Sequence, residues 1–442
     1  MKIWDKGFAI DKRIEEFTVG KDRELDLLLA PYDVLGSIAH CKMLNKIGLL
    51  TNDELTAILA ALREIYQTIL KGEFIIENEI EDVHSQVELL LTNKLGDIGK
   101  KIHSGRSRND QVMLDIRLYI RQEINEIVSL CEGLFENLIE LSNKHKDILM
   151  PGYTHTQVAM PSSFGLWFGA FAESLVDDVV LMLSAFRIAN QNPLGSAAGY
   201  GSSFPLDRSM TTKLLGFGDM SYNVVYAQMG RGKVEKTLSF AMSSIASTLS
   251  KLANDVCLFM SQNLAFVSLP NELTTGSSIM PHKKNPDVFE LLRAKANKLQ
   301  ALANEISLIT NNLITGYHRD LQLVKESLFP AIEDLKNCIS ITNYMIGEIE
   351  VNRKILDSEI YKYLTSVESV NKEVLEGVPF RDAYQNIAAK IEDGSYRGEN
   401  TITHTHEGSI GNLCNNEIVN KMADIKSQFM FHKYEQAMKS LI

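Results

Sequence analysis

Three stretches of this chain run far beyond an ordinary helix without a residue that would break one. Val112 to Met150 contains only Gly133, Lys233 to Leu269 contains neither glycine nor proline, and Asp287 to Phe329 contains only Gly316. In the second stretch Leu238, Met242, Ile245, Leu249, Leu252, Val256 and Phe259 recur in alternating steps of four and three, the apolar seam of helices packed side by side. The first keeps the same rhythm through Ile116, Ile120, Ile124, Ile127, Cys131, Leu134, Leu138 and Leu141. A helix of about 35 residues is about 50 Å long, more than the radius of a compact domain, so the pattern predicts an elongated central bundle. Small residues on the second seam helix, such as Ala241, Ser243, Ser244, Ala246 and Ser247, allow close packing on another face, either between subunits as well as within one or in a tightly packed monomer.

A chain of 442 residues exceeds one ordinary core, and its 45% apolar content is enough to fill several. Three regions are expected. Residues 1–105 form an N-terminal helical domain of shorter amphipathic segments, in which Thr51 or Asn52 caps a helix. Residues 106–360 form the long-helix bundle, and residues 361–442 a small C-terminal helical domain. Strand alternation is scarce, so the fold is mainly α. The formal charge of −11 excludes a general positive field for nucleic acid or anionic lipid, while leaving room for a local basic pocket around an anionic metabolite. Cys41, Cys131, Cys257, Cys338 and Cys414 lack metal-type spacing and read as unpaired thiols of a reducing compartment. The first residues lack the apolar core of a signal peptide, and the longest membrane-like run, Thr154 to Ala172, is interrupted by His155, Gln157, Pro161 and two glycines. A soluble, cytoplasmic protein is expected.

The polar breaks between the long helices carry the chemistry. Gly276-Ser277-Ser278-Ile279-Met280-Pro281-His282-Lys283-Lys284-Asn285-Pro286-Asp287 is glycine-led and proline-broken; its amides, the Lys283 charge and the Asn285 donor suit an anion. His103-Ser104-Gly105-Arg106-Ser107-Arg108-Asn109-Asp110-Gln111 gathers donors that fit carboxylates, although Ser107 or Asn109 could equally be a helix cap beside solvated arginines. Gly152-Tyr153-Thr154-His155-Thr156-Gln157 places one histidine among hydroxyls. Tyr317-His318-Arg319-Asp320-Leu321-Gln322, with Lys325, interrupts the third stretch, and the plain alternative there is an exposed charged helical face. Glu81-Asp82-Val83-His84 is either a site segment or an ordinary surface acidic pair. His404 and His406 have no further ligands at metal spacing, so no zinc site is expected there.

The segment from Gly276 to Asp287 closely resembles the signature of the fumarase and aspartase superfamily, enzymes that eliminate an amine, amide or water from a succinyl group. The resemblance implies that Ser277 is the catalytic serine, Lys283 the carboxylate-binding lysine and Asn285 a further substrate contact. The segment around Arg106 to Gln111 resembles the argininosuccinate lyase branch, which implies substrate contacts at Ser107, Arg108 and Asn109. By the same resemblance Thr154 contacts substrate, His155 takes part in proton transfer, and Glu290 orients that histidine. Tyr317, Gln322 and Lys325 then bind the succinyl and arginine parts, with Asp82 and His84 either on the guanidinium side or just behind the groups that touch the substrate. Here His318 and Leu323-Val324 depart from many relatives. The stretch Phe17 to Asp22 is shorter than theirs, so their substrate-contacting serine has no counterpart to assign.

The implied reaction removes a proton next to a carboxylate, leaving an aci-carboxylate carbanion, and expels a guanidinium nitrogen. Ser277 is the base and His155 the acid, or the roles are reversed. This chemistry calls for no metal and no cofactor. The implied assembly is a homotetramer with sites drawn from three subunits, since the motifs sit at helix ends tens of Å apart. Rival readings are another lyase of the superfamily, a non-enzymatic relative such as a lens crystallin, and a purely structural bundle that would leave the polar breaks without a purpose.

Overall fold

The computed structural model describes residues 11–399 and 402–442. Five long helical segments run up and down beside one another. Arg108–Lys144 rises through 37 residues, Phe164–Ala189 returns, and Lys233–Phe259 rises again. Asp287–Gln300 and Leu302–Ile309 descend together, and Leu323–Gly347 rises last. Both predicted seams face the core: from Ile116 to Leu141 and from Leu238 to Val256 every seam residue is buried, and Phe259 packs against the same cluster. Such burial is worth about 1.5–3 kcal/mol for each large apolar side chain.

The segment Phe164–Ala189 was not legible as a helix, because its glycines read as breakers. Gly165 and Gly169 serve close approach instead. A Cβ at Gly165 would lie 2.7 Å from the Lys146 backbone and one at Gly169 3.2 Å from the Ser142 hydroxyl, so the chain crosses tightly onto the end of the first long helix. The third breaker-free stretch is not one helix. It bends at Ala301, opens between residues 310 and 322, and resumes at Leu323 in a helix that continues through Pro330.

The N-terminal helices Ala30–Lys46, Asn52–Leu70 and Val83–Leu95 share a second core with Leu114 and Leu118 of the first long helix. Thr51 caps the second of these in a reciprocal box with Glu54. The last helix, Phe431–Leu441, packs into the same core through Tyr434 and Leu441, and Arg121 lies between the rings of Phe217 and Tyr434. Helices Ser366–Leu375 and Phe380–Glu392 enclose a small cluster of their own. Strands occur only as two-stranded ribbons among the described residues, the largest being the hairpin Leu149–Thr154 with Gln157–Ser163. No helix among the described residues is long and apolar enough to cross a membrane.

Candidate active site

The start of the first long helix forms one wall of a cleft. Ser107 caps it, its hydroxyl accepting from the Asn109 amide at 3.3 Å, while the Asp110 carboxylate accepts from the Ser107 amide at 2.8 Å. Asp110 is fully buried and also accepts from the Gly195 and Ala197 amides, which ties the 193–201 loop to this end of the bundle. Burial pushes its pKa up to about 6 against those bonds. Ser107 is therefore the cap, and Arg108, though a third exposed, is ion-paired: Nη1 meets Asp82 at 2.9 Å and Glu81 at 3.2 Å.

Those two acids are buried, which removes the surface-pair alternative. Asp82 is also the cap of the Val83–Leu95 helix, accepting from the Ser85 amide at 2.8 Å. His84 points inward, with Nδ1 at 2.7 Å from Asp33 and 3.5 Å from Asp115. Burial disfavours its charge, but Asp33, Asp115 and Asp82 outweigh that and hold its pKa at about 9. Asp33, His84 and Asp115 are also the one group of described residues with the spacing to hold a metal ion. An imidazolium already supplies positive charge there.

Opposite lies the 310–325 segment. Lys325 is buried and donates to Asp26 at 2.5 Å and Asp22 at 2.7 Å, so the exposed-face alternative does not describe it. Burial raises Asp22 to a pKa of about 6, even with Lys325 alongside. Gln322 Nε2 donates to the Thr18 and Val19 carbonyls at 3.0 and 3.1 Å, which brings the shortened N-terminal stretch to the cleft without offering a serine. The cleft is lined by Asp22, Asp26, Asp82, His84, Arg108, Asn109, Val112, Arg231, Tyr317, Gln322 and Lys325.

Seven residues singled out in the sequence thus meet in one place: Asp82, His84, Arg108, Asn109, Tyr317, Gln322 and Lys325. Five partners were not legible. Asp22, Asp26, Asp33, Asp115 and Arg231 are single charged residues in helices or turns with no diagnostic spacing, and only their position in the fold marks them.

The other predicted residues do not line this cleft. Thr154 and His155 are exposed at the tip of the hairpin, and His155 and Thr156 form its two-residue turn with φ of 52° and 60°. Positive φ at both positions suits a tight hairpin, yet it is strained for side-chain-bearing residues and most of all for β-branched Thr156. Lys283 and Glu290 are exposed, and Ser277 and Asn285 are half-buried. Ser277 Oγ accepts from the Ile279 and Met280 amides at 3.3 and 3.2 Å, and the Asn285 amide donates to Thr275 at 2.8 Å, closing the loop at its base. No hydrogen bond joins His155 to Glu290 within the described chain.

The separation follows from the bundle. Arg231, in the cleft, immediately precedes the Lys233–Phe259 helix, which is about 40 Å long, and the Ser277 loop follows its far end. The hairpin is at that far end too, where Tyr153 and Phe266 have ring centroids 6.2 Å apart. One chain therefore carries the cleft at one end and the serine and histidine at the other.

Residues 1–301 match the family model described as Lyase. Along 441 aligned residues the chain is 62% identical to the argininosuccinate lyase of Parabacteroides distasonis, covering 100% of this chain and 99% of that protein. The chain belongs to the argininosuccinate lyase family. The lyase of that name from Thermotoga neapolitana is 41% identical over 389 residues, covering 88% of this chain and 98% of its own. Among solved structures, an EDDS lyase variant with bound fumarate superposes with a TM-score of 0.78 at 21% identity, covering 98% of this chain and 94% of that one. The class II fumarase of Schistosoma mansoni gives a TM-score of 0.72 at 18% identity, covering 87% and 89%. These likenesses show that this lyase has the mainly α fold of the fumarase and aspartase superfamily.

Proposed function

We propose that this lyase catalyses the reversible elimination that splits argininosuccinate into fumarate and L-arginine, the last step of arginine biosynthesis. The observation that carries the reading is the cleft itself. The donor-rich helix start at Arg108 and Asn109 faces Tyr317, Gln322 and Lys325, and Asp22, Asp26 and Asp82 supply the acidic side that a guanidinium or ammonium group needs. Ser277 removes the proton from the succinyl carbon next to its carboxylate, and the electron pair passes onto the carboxylate oxygens as an aci-carboxylate. Lys283, Asn285 and the loop amides stabilise that charge. The pair then returns to form the double bond of fumarate as the C–N bond breaks, and His155, oriented by Glu290, protonates the departing guanidino nitrogen. Every step is a proton transfer or an electron-pair shift within the substrate, so no cofactor is invoked.

A homotetramer with each site drawn from three subunits brings the two ends together. In support, the cleft and the Ser277 loop of one chain are separated by the length of a helix. The chain is read as three domains, 1–105, 106–360 and 361–442, and as a cytoplasmic protein with small-molecule partners alone. The deciding experiment is the ultraviolet absorbance of fumarate released from argininosuccinate, with adenylosuccinate, aspartate and malate as competing substrates. Ser277→Ala should abolish turnover while substrate still binds, because a base matters in the transition state far more than in the ground state. Retention of more than about a tenth of the wild-type rate would remove Ser277 from the role of base.

A further inference from the structure

The cations lining the cleft differ in what holds them. Lys325 meets Asp22 and Asp26, Arg108 meets Glu81 and Asp82, and His84 meets Asp33. Arg231 alone among these has no carboxylate at ion-pair distance among the described residues. It is 7% exposed. One nitrogen, Nη2, donates to the Leu321 carbonyl at 3.3 Å, while Nε and Nη1 are buried with no acceptor. Its Cζ lies 5.4 Å from the centroid of the Tyr317 ring.

The chain is built to hold it there. Gly232 adopts φ +79°, and a Cβ on it would lie 2.7 Å from Thr310, so the turn is pressed against the 310–322 segment. Glu235 is buried nearby and offsets the guanidinium charge through space, but its Oε2 is spent on the Gly232 amide at 2.7 Å. The charge is thus balanced while the donors are not satisfied. A buried guanidinium with two vacant donor nitrogens is costly unless an anion completes it. Bracing the Leu321 carbonyl requires only one of its N–H groups.

We propose that Arg231 binds the α-carboxylate of the arginine half of the substrate and so selects an α-amino acid over a plain alkylguanidine. The inference rests on the function proposed above and adds a residue to its site. An α-amino acid head carries an anion and a cation on adjacent atoms. Arg231 offers the vacant donors for the first, and Asp22, near enough for Arg231 to lower its proton affinity, lies on the side that suits the second. The two succinyl carboxylates are spoken for by Lys283, Asn285 and the Asn109 helix start.

The test compares L-arginine with agmatine, which is the same molecule without the carboxylate, by calorimetric titration of the full-length enzyme. Wild-type enzyme should bind arginine more tightly than agmatine. Arg231→Gln should shrink that preference about 30-fold, the order expected for a hydrogen bond to a charged group, with agmatine affinity changed less than about threefold. Arg231→Lys, which keeps the charge and most of the packing, should fall between and carries the comparison if the glutamine variant is insoluble. An equal loss for both ligands, or an unchanged preference for arginine, overturns the proposal. Failure of wild-type enzyme to release fumarate from argininosuccinate would instead strike the proposed function, and it is read before any variant is made.

Discussion

His84 offers the sharpest quantitative test of how the cleft is held together. Its imidazole is buried, meets Asp33 at 2.7 Å and Asp115 at 3.5 Å, and has a pKa raised from 6.5 to about 9. A folded-state value above the unfolded one means that the folded protein holds the proton more tightly. The stabilisation is therefore fully present below about pH 6.5 and is lost as pH rises through 9. At about 1.4 kcal/mol for each pH unit of difference, the window is worth about 3 kcal/mol.

His84→Gln removes the titrating group while keeping a side chain of similar reach. The stability difference between wild type and variant, measured from urea midpoints at a series of pH values from 6 to 10, should shrink by about 3 kcal/mol across that range. Acids remote from His84 titrate alike in both proteins and cancel in the difference. A difference that stays constant within about 1 kcal/mol, or that widens with pH, would refute the assignment of a buried imidazolium between two carboxylates. Asp33→Asn should move the same window toward lower pH, because it deletes the partner that contributes most to the raised value.

Lys325→Met should cost about 3–5 kcal/mol at neutral pH by leaving Asp22 and the buried Asp26 without their cation, and the deficit should narrow on acidification as Asp22, whose proton affinity burial already raises, takes up a proton; urea midpoints at two pH values check both statements. Arg121→Ala should release the Phe431–Leu441 helix by removing the guanidinium between Phe217 and Tyr434 and its bonds to the Leu215 and Gly216 carbonyls, seen as selective proteolysis of the C-terminus with a stability loss of about 2–4 kcal/mol. Co-refolding inactive Ser277→Ala with inactive Asn109→Ala should restore roughly a quarter of wild-type activity, because random mixing places both intact residues in that share of shared sites. Activity no higher than the two variants give alone would count against site sharing.

The long seams were legible because burial on one stripe leaves a period that no loop imitates, and both predicted seam helices are present. The Phe164–Ala189 helix escaped because Gly165 and Gly169 answer to a neighbouring helix, a constraint invisible along one chain. The same limit applies in the site. Asp82, His84, Arg108, Asn109, Tyr317, Gln322 and Lys325, which converge on the cleft, were singled out because they stand in segments that resemble a known pattern. Asp22, Asp26, Asp33, Asp115 and Arg231 were missed because their roles come from packing. Each supplies or lacks a charge partner only after distant helices are brought together.

That distribution of charge bears on the proposed assembly. At the cleft end nearly every ionised group is paired within one chain: Lys325 with two aspartates, Arg108 with Glu81 and Asp82, His84 with Asp33. At the far end His155, Lys283 and Glu290 are exposed, and a strained turn holds His155 at the hairpin tip. On the proposed roles, the groups that bind are preorganised in each chain, whereas the groups that move protons are presented outward. Catalysis requires them within hydrogen-bonding reach of one substrate. The about 40 Å of intervening helix cannot fold back on itself to meet that requirement, and a neighbouring copy packed antiparallel along the bundle can.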